Sequence, residues 1–153
     1  MKKSLELVGQ ELKVDPNLLL PASTGVIGEQ FKMKRWEIGA KKLSKNLGKK
    51  NIIHVAKAIM TTDTFPKISF SKEKDISVAG IAKGAGMICP NMATMLAFII
   101  TDISIESLLF QEILKEITEN SFNRISVDGD TSTNDCVIAM ANGASGKKNI
   151  RKK

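Results

Sequence analysis

The sequence predicts a mixed chain of helices and short strands, an α/β (α+β) fold, and three observations carry that expectation. Apolar residues recur at three- and four-residue spacing in several stretches, as in helices with one buried face. Ile68-Ser69-Phe70 and Ile76-Ser77-Val78 alternate apolar with polar residues, the period of a half-exposed strand. Thr94-Met95-Leu96-Ala97-Phe98-Ile99-Ile100 is almost continuously apolar instead, the pattern of a strand covered on both faces.

Taken in order, Leu5, Leu7, Val8 and Leu12 predict a short amphipathic helix over 4–13, ended by Asp15-Pro16-Asn17. Leu18-Leu19-Leu20 reads as a short buried strand feeding the small-residue loop Pro21 to Gly28. Residues 33–47 and 51–60 read as two helices broken around Gly48, with Trp36 and His54 as packing residues. Met60 to Lys67 is a polar loop with three threonines. The alternating strands follow, joined by the charged turn Ser71 to Asp75. Beyond the apolar strand, 105–119 is an amphipathic helix whose Glu106, Glu112, Glu116 and Glu119 form a solvated face. An Asp-rich loop leads to Cys136–Ala141, which reads as an apolar helix stopped by Asn142-Gly143.

Composition narrows the function classes. At 153 residues, 42% hydrophobic and 25% charged, the chain can bury one core. Its longest apolar run falls far short of the ~20 residues of a membrane span, and Ser4 to Glu11 carries acids where a secretory segment would be apolar. Cys89 and Cys136 are too far apart for a Cys-x-x-Cys pair, and the lone His54 builds no metal site, so no metal is expected. The Asp-rich loop lacks the ligand order and distal Glu of a calcium loop. Five of the 23 basic residues lie at Lys147, Lys148, Arg151, Lys152 and Lys153, so most of the +7 charge is local. With one Trp and no Tyr to stack on bases, no nucleic-acid partner is expected. A cytoplasmic location is the expectation.

Four stretches carry chemistry. In Lys83 to Leu96, KGAGMICPNMATML, Gly84, Gly86 and Pro90 permit an irregular loop, and Thr94 sits where that loop enters a core strand. Residue types leave two readings of Thr94: a residue that merely opens a strand, or a nucleophile exposed by the loop and fixed by the strand. In PASTGVIG, residues 21–28, small residues either make a tight turn or let backbone amides face an oxyanion. In MTTDT, residues 60–64, the hydroxyls read as a turn in which the Asp bonds its own backbone. Lys83, ending a strand, reads as a surface charge.

These stretches resemble the ornithine acetyltransferase family, also called bifunctional glutamate N-acetyltransferase. KGAGMICPNMATML is similar to the family's cleavage motif, PASTGVIG to its oxyanion segment and MTTDT to its pocket segment. Residues 121–135 resemble SFNRITVDGDTSTND, with Ser126 where Thr is usual. The resemblance implies that the chain cuts itself between Ala93 and Thr94 and that Thr94 then accepts an acyl group. It implies an oxyanion hole from the Thr24 hydroxyl and the Gly25 N–H. It also implies substrate contacts from Thr61, with Thr62 as its neighbouring alternative, and from Lys83. The implied reaction moves acetyl from N-acetylornithine to glutamate in arginine biosynthesis, with no bound cofactor and with acetyl-CoA as an alternative donor in some members. The implied fold is a layered sandwich whose central sheet bears Thr94 between flanking helices.

The resemblance runs from near residue 5 to Gly143. It implies one partial domain, 1–143, made of the end of the family's α chain (1–93) and the start of its β chain (94–143). The basic segment 144–153 reads as a disordered tail. The family's acidic contact and its C-terminal Asn and Ser/Thr contacts have no counterpart here. Two expectations follow: an α/β heteromer after cleavage, completed by segments supplied in trans, or an inactive remnant acting as an interaction fragment.

Overall fold

The computed structural model describes residues 1–26, 28–48, 51–86, 95–130 and 132–152. They fall into two units, Met1–Asn51 and Ile52–Lys153.

In the first unit, α1 (Lys2–Leu12) places Leu5, Val8 and Leu12 on one side and ends when Lys13 turns left-handed (φ 56°). Gly9 sits where the chain doubles back: a Cβ there would lie 2.9 Å from the Val14 carbonyl oxygen and from Pro16 Cγ. Helix α2 (Met33–Ser44) packs on α1 through buried Ala40 and through Trp36. The Trp36 indole N–H donates to the Ser4 carbonyl at 3.2 Å, and its ring meets Phe31 edge-on. The strand expected at Leu18–Leu20 is not formed. Asp15 accepts the Asn17 N–H and Pro16 pre-sets the backbone, so Pro16–Leu18 makes a 3₁₀ turn. Leu18 and Leu20 are then exposed, and the described residues of this unit contain no strand for them to pair with.

The second unit carries a four-stranded sheet in the order β1-β2-β3-β4: β1 (Lys67–Glu73), β2 (Ile76–Lys83), β3 (Leu96–Thr101) and β4 (Cys136–Ala141). The first two form a hairpin turning on left-handed Lys74, β2 and β3 are antiparallel, and β3 and β4 are parallel. Helix α4 (Ser107–Asn120) makes the crossover that a parallel pair requires. Helix α3 (Ile52–Ile59) packs on β1 and β2 through Ala56, which is fully buried. The helices and the mixed sheet agree with the predicted α/β class.

The expected helix at Cys136–Ala141 is β4. Six apolar residues do not reveal whether their period is helical or extended, and pairing to β3 decides it by satisfying their backbone groups. The last residues also carry contacts: Ile150 bridges in parallel to Ile105, and Lys152 pairs with Glu112 at 2.8 Å.

Candidate active site

Strand register gathers one end of the sheet. Lys83 ends β2 opposite Leu96, which begins β3, and Leu96 lies opposite Cys136, which begins β4. Lys67 begins β1 next to them, opposite Ala82. The loop between α3 and β1, residues 60–66, passes this same end.

Lys83 is not the surface charge that its position in sequence suggests. It is 1% exposed, and its ammonium donates to Thr61 Oγ1 at 3.1 Å. Asp63, with its side chain wholly buried, is the hub of the loop. Its carboxylate accepts the Lys67 ammonium, the Gly84 N–H at 2.8 Å and the Thr61 N–H at 3.3 Å. Gly84 makes its bond at φ 142°, a backbone angle that favours glycine. Burial pushes the Asp63 carboxyl up, but the Lys67 ammonium and the two backbone donors outweigh it and hold the group below the usual carboxylate value.

On the far side stands Asp135, the residue before β4. Its Oδ1 accepts the Met95 N–H at 2.5 Å, while its buried Oδ2 has no hydrogen-bond partner among the described residues. Burial raises the Asp135 pKa more than the Met95 bond and the Lys83 charge lower it. For Lys83 burial acts downward and dominates, although Asp63 and Asp135 both oppose it. Burial, and then Asp135, push the Cys136 thiol up. Two lysines and two carboxylates therefore balance at the sheet end. The arrangement can present an ammonium and a threonine hydroxyl to an anionic or carbonyl-bearing ligand.

Of the expected site residues, the structure joins Thr61 to Lys83 and not Thr62 to Lys83. Ala93 and Thr94 lie outside the described residues, although Met95, directly after Thr94, opens onto this cluster through Asp135. Thr24 and Gly25 belong to the first unit. Thr24 is half-buried, and Gly25 is exposed with no heavy atom within 4 Å of a Cβ position. Asp63 and Asp135 are the residues that sequence reasoning missed. An Asp between threonines, and an Asp directly before an apolar run, were the available signals. Among the described residues no group of three or more His, Cys, Asp or Glu is placed to hold a metal, and no helix is long and apolar enough to cross a membrane.

Fold and site together define an α/β protein with a charge-balanced lysine centre at one end of its sheet. Over residues 1–153 the chain matches the ArgJ family, and it belongs to that family. It is 45% identical over 152 residues to the arginine biosynthesis bifunctional protein ArgJ of Nitratidesulfovibrio vulgaris, covering 95% of this chain and 38% of that protein. The protein of the same name from Thermotoga neapolitana is 47% identical over 154 residues, with 98% and 38% covered. That from Lactococcus lactis subsp. lactis is 49% identical over 145 residues, with 92% and 36% covered. The chain thus spans less than two fifths of the length of these relatives.

Proposed function

We propose that this chain forms part of the catalytic centre of an acetyltransferase of arginine biosynthesis, moving acetyl from N-acetylornithine to glutamate through Thr94. The observation that carries the reading is the 3.1 Å bond between Lys83 and Thr61. These residues lie 22 positions apart and are the two that the resemblance assigns to substrate. Family membership and the relatives' name, arginine biosynthesis bifunctional protein, support a role in arginine biosynthesis.

In this reading the Thr94 hydroxyl attacks the carbonyl carbon of Ala93, and the Ala93–Thr94 amide becomes an ester. Water hydrolyses that ester, leaving Ala93 with a carboxylate and Thr94 with a free α-amine. An α-amine has a reference pKa of about 8 and can take the proton of its own hydroxyl near neutral pH. Thr94 then attacks the acetyl carbonyl of N-acetylornithine, ornithine departs as the amine, and the glutamate amine takes the acetyl group from the ester. Thr24 and Gly25 donate to the oxyanion of each tetrahedral intermediate, and the open space around Gly25 suits that role. Lys83 and Thr61 hold the amino-acid part, and the Lys83 charge suits a carboxylate. The cut pieces stay together as an α/β heteromer, and acetyl-CoA is an alternative donor.

Incubation with N-acetylornithine tests the reading. The piece beginning at Thr94 should gain the mass of one acetyl group and lose it when glutamate is added. Failure of a cleaved chain to gain that mass would overturn the reading.

A second reading, an inactive fragment that binds a partner, is favoured by one observation. Ile68, Phe70, Ile100 and Met140 share one face of the sheet by register, and all four are exposed.

A further inference from the structure

We infer that Asp63 is a positioning residue for the Lys83–Thr61 pair, bracing the backbone of Thr61 and of Gly84, the residue that follows Lys83. The inference rests on the proposed role of Lys83 as a substrate contact and goes beyond it, because the resemblance assigns no role to Asp63.

The geometry is that of a brace with three arms. One arm reaches the Thr61 N–H, which belongs to the residue whose hydroxyl accepts from Lys83. A second reaches the Gly84 N–H at 2.8 Å, directly after Lys83 on the chain. The third reaches the Lys67 ammonium at the start of β1. A shift of the carboxylate would therefore move Thr61 and the β2 end together, and these are the two supports of the Lys83 side chain. A wholly buried carboxylate serving two backbone donors and one ammonium has little freedom to shift.

A charge argument accompanies the brace. At 1% exposure Lys83 has almost no water to solvate an ammonium, so burial favours the neutral amine. Among the described residues, the charged groups acting on it include Asp63 from the loop before β1, Asp135 from the residue before β4, and Lys67 from β1 itself. Both carboxylates favour the ammonium, Asp63 more strongly, and Lys67 opposes it. Lys67 is partly exposed and shares Asp63, so water and Asp63 together accommodate its charge. Without Asp63, Lys83 would still face Lys67 but would lose the stronger of these two carboxylates. A neutral amine would be a poorer partner for a substrate carboxylate, so the function of Lys83 depends on a residue that need not touch the substrate.

The test is a carbon-13 NMR titration of the lysine Cε signals of the full chain, with Lys83 assigned by its loss in Lys83→Arg. The Lys83 midpoint is expected at lower pH in Asp63→Asn than in the wild type, and back toward the wild-type value in Asp63→Glu. A purely structural Asp63 would broaden or disperse signals without this charge-dependent order. If Asp63→Asn does not fold, the wild type alone decides. Its Lys83 signal should shift at acid pH as the Asp63 carboxyl, followed at its own carbon-13 resonance, takes up a proton. An unchanged midpoint across the variants, or a Lys83 signal indifferent to Asp63 protonation, would overturn the inference. Because no substrate is present, these outcomes are separate from a failure of acetyl transfer, which would count against the functional reading instead.

Discussion

Replacing Asp63 with alanine removes the hub of the candidate site, and the structure sets the size of the effect. The Gly84 N–H, buried and bonded at 2.8 Å, loses its partner, which costs about 1–3 kcal/mol. The Thr61 N–H, with a longer 3.3 Å bond beside exposed residues, adds about 0.5–1 kcal/mol. Lys67 is 36% exposed on its side chain and returns to water, so its ion pair adds nothing to the sum. The expected loss is about 1.5–4 kcal/mol, read from urea unfolding followed by circular dichroism. Asp63→Asn keeps an acceptor and should lose less. The pH dependence has a definite sign. A carboxyl held below its ordinary value of 3.8 stabilises the fold above that value, and loses the contribution as pH falls through its folded value. The gap between wild type and Asp63→Ala should therefore narrow below about pH 3.8. A loss under about 0.5 kcal/mol at neutral pH would refute the assignment of Asp63 as the hub.

Gly9→Ala should destabilise the first unit by about 1–3 kcal/mol, because its Cβ would press on backbone as well as on Pro16; Trp36, the sole tryptophan, reports the loss in its fluorescence. Cys136 should alkylate more slowly at pH 7 than a cysteine in an unstructured peptide, when followed by mass spectrometry in a Cys89→Ser background, because burial and Asp135 keep its thiol protonated. Asp135→Ala should slow Ala93–Thr94 cleavage more than Asp135→Asn, since only asparagine can still accept the Met95 N–H; the time course of the cut pieces measures this.

The helices were legible because their apolar residues keep a helical period: Leu5, Val8 and Leu12 mark α1, and Leu109 and Leu114 belong to the stripe of α4. The β1–β2 hairpin was legible from alternation. Strand β4 was not, because Val137 and Ile138 sit in a run too short to carry a period, and only the neighbouring β3 makes the extended form favourable. Leu18–Leu20 misled for a related reason: an apolar triplet reads as a strand, whereas the Asp15–Asn17 bond and Pro16 impose a turn locally. At the site, the motifs singled out Thr61 and Lys83 separately, as substrate contacts, whereas the bond between them is visible only in the structure. The burial of Lys83 could not be read, since it depends on a loop 20 residues upstream and on a strand more than 50 residues downstream closing over the same sheet end. For the same reason Asp63 looked like an ordinary turn residue.

The central claim is that Thr94 is a nucleophile poised to cut its own chain, and the intact mass of the purified protein tests it most directly. The account predicts two pieces, one ending at Ala93 and one beginning at Thr94, and a single uncut species in Thr94→Ala. A wild-type chain that remains whole and matches Thr94→Ala in every incubation would contradict it.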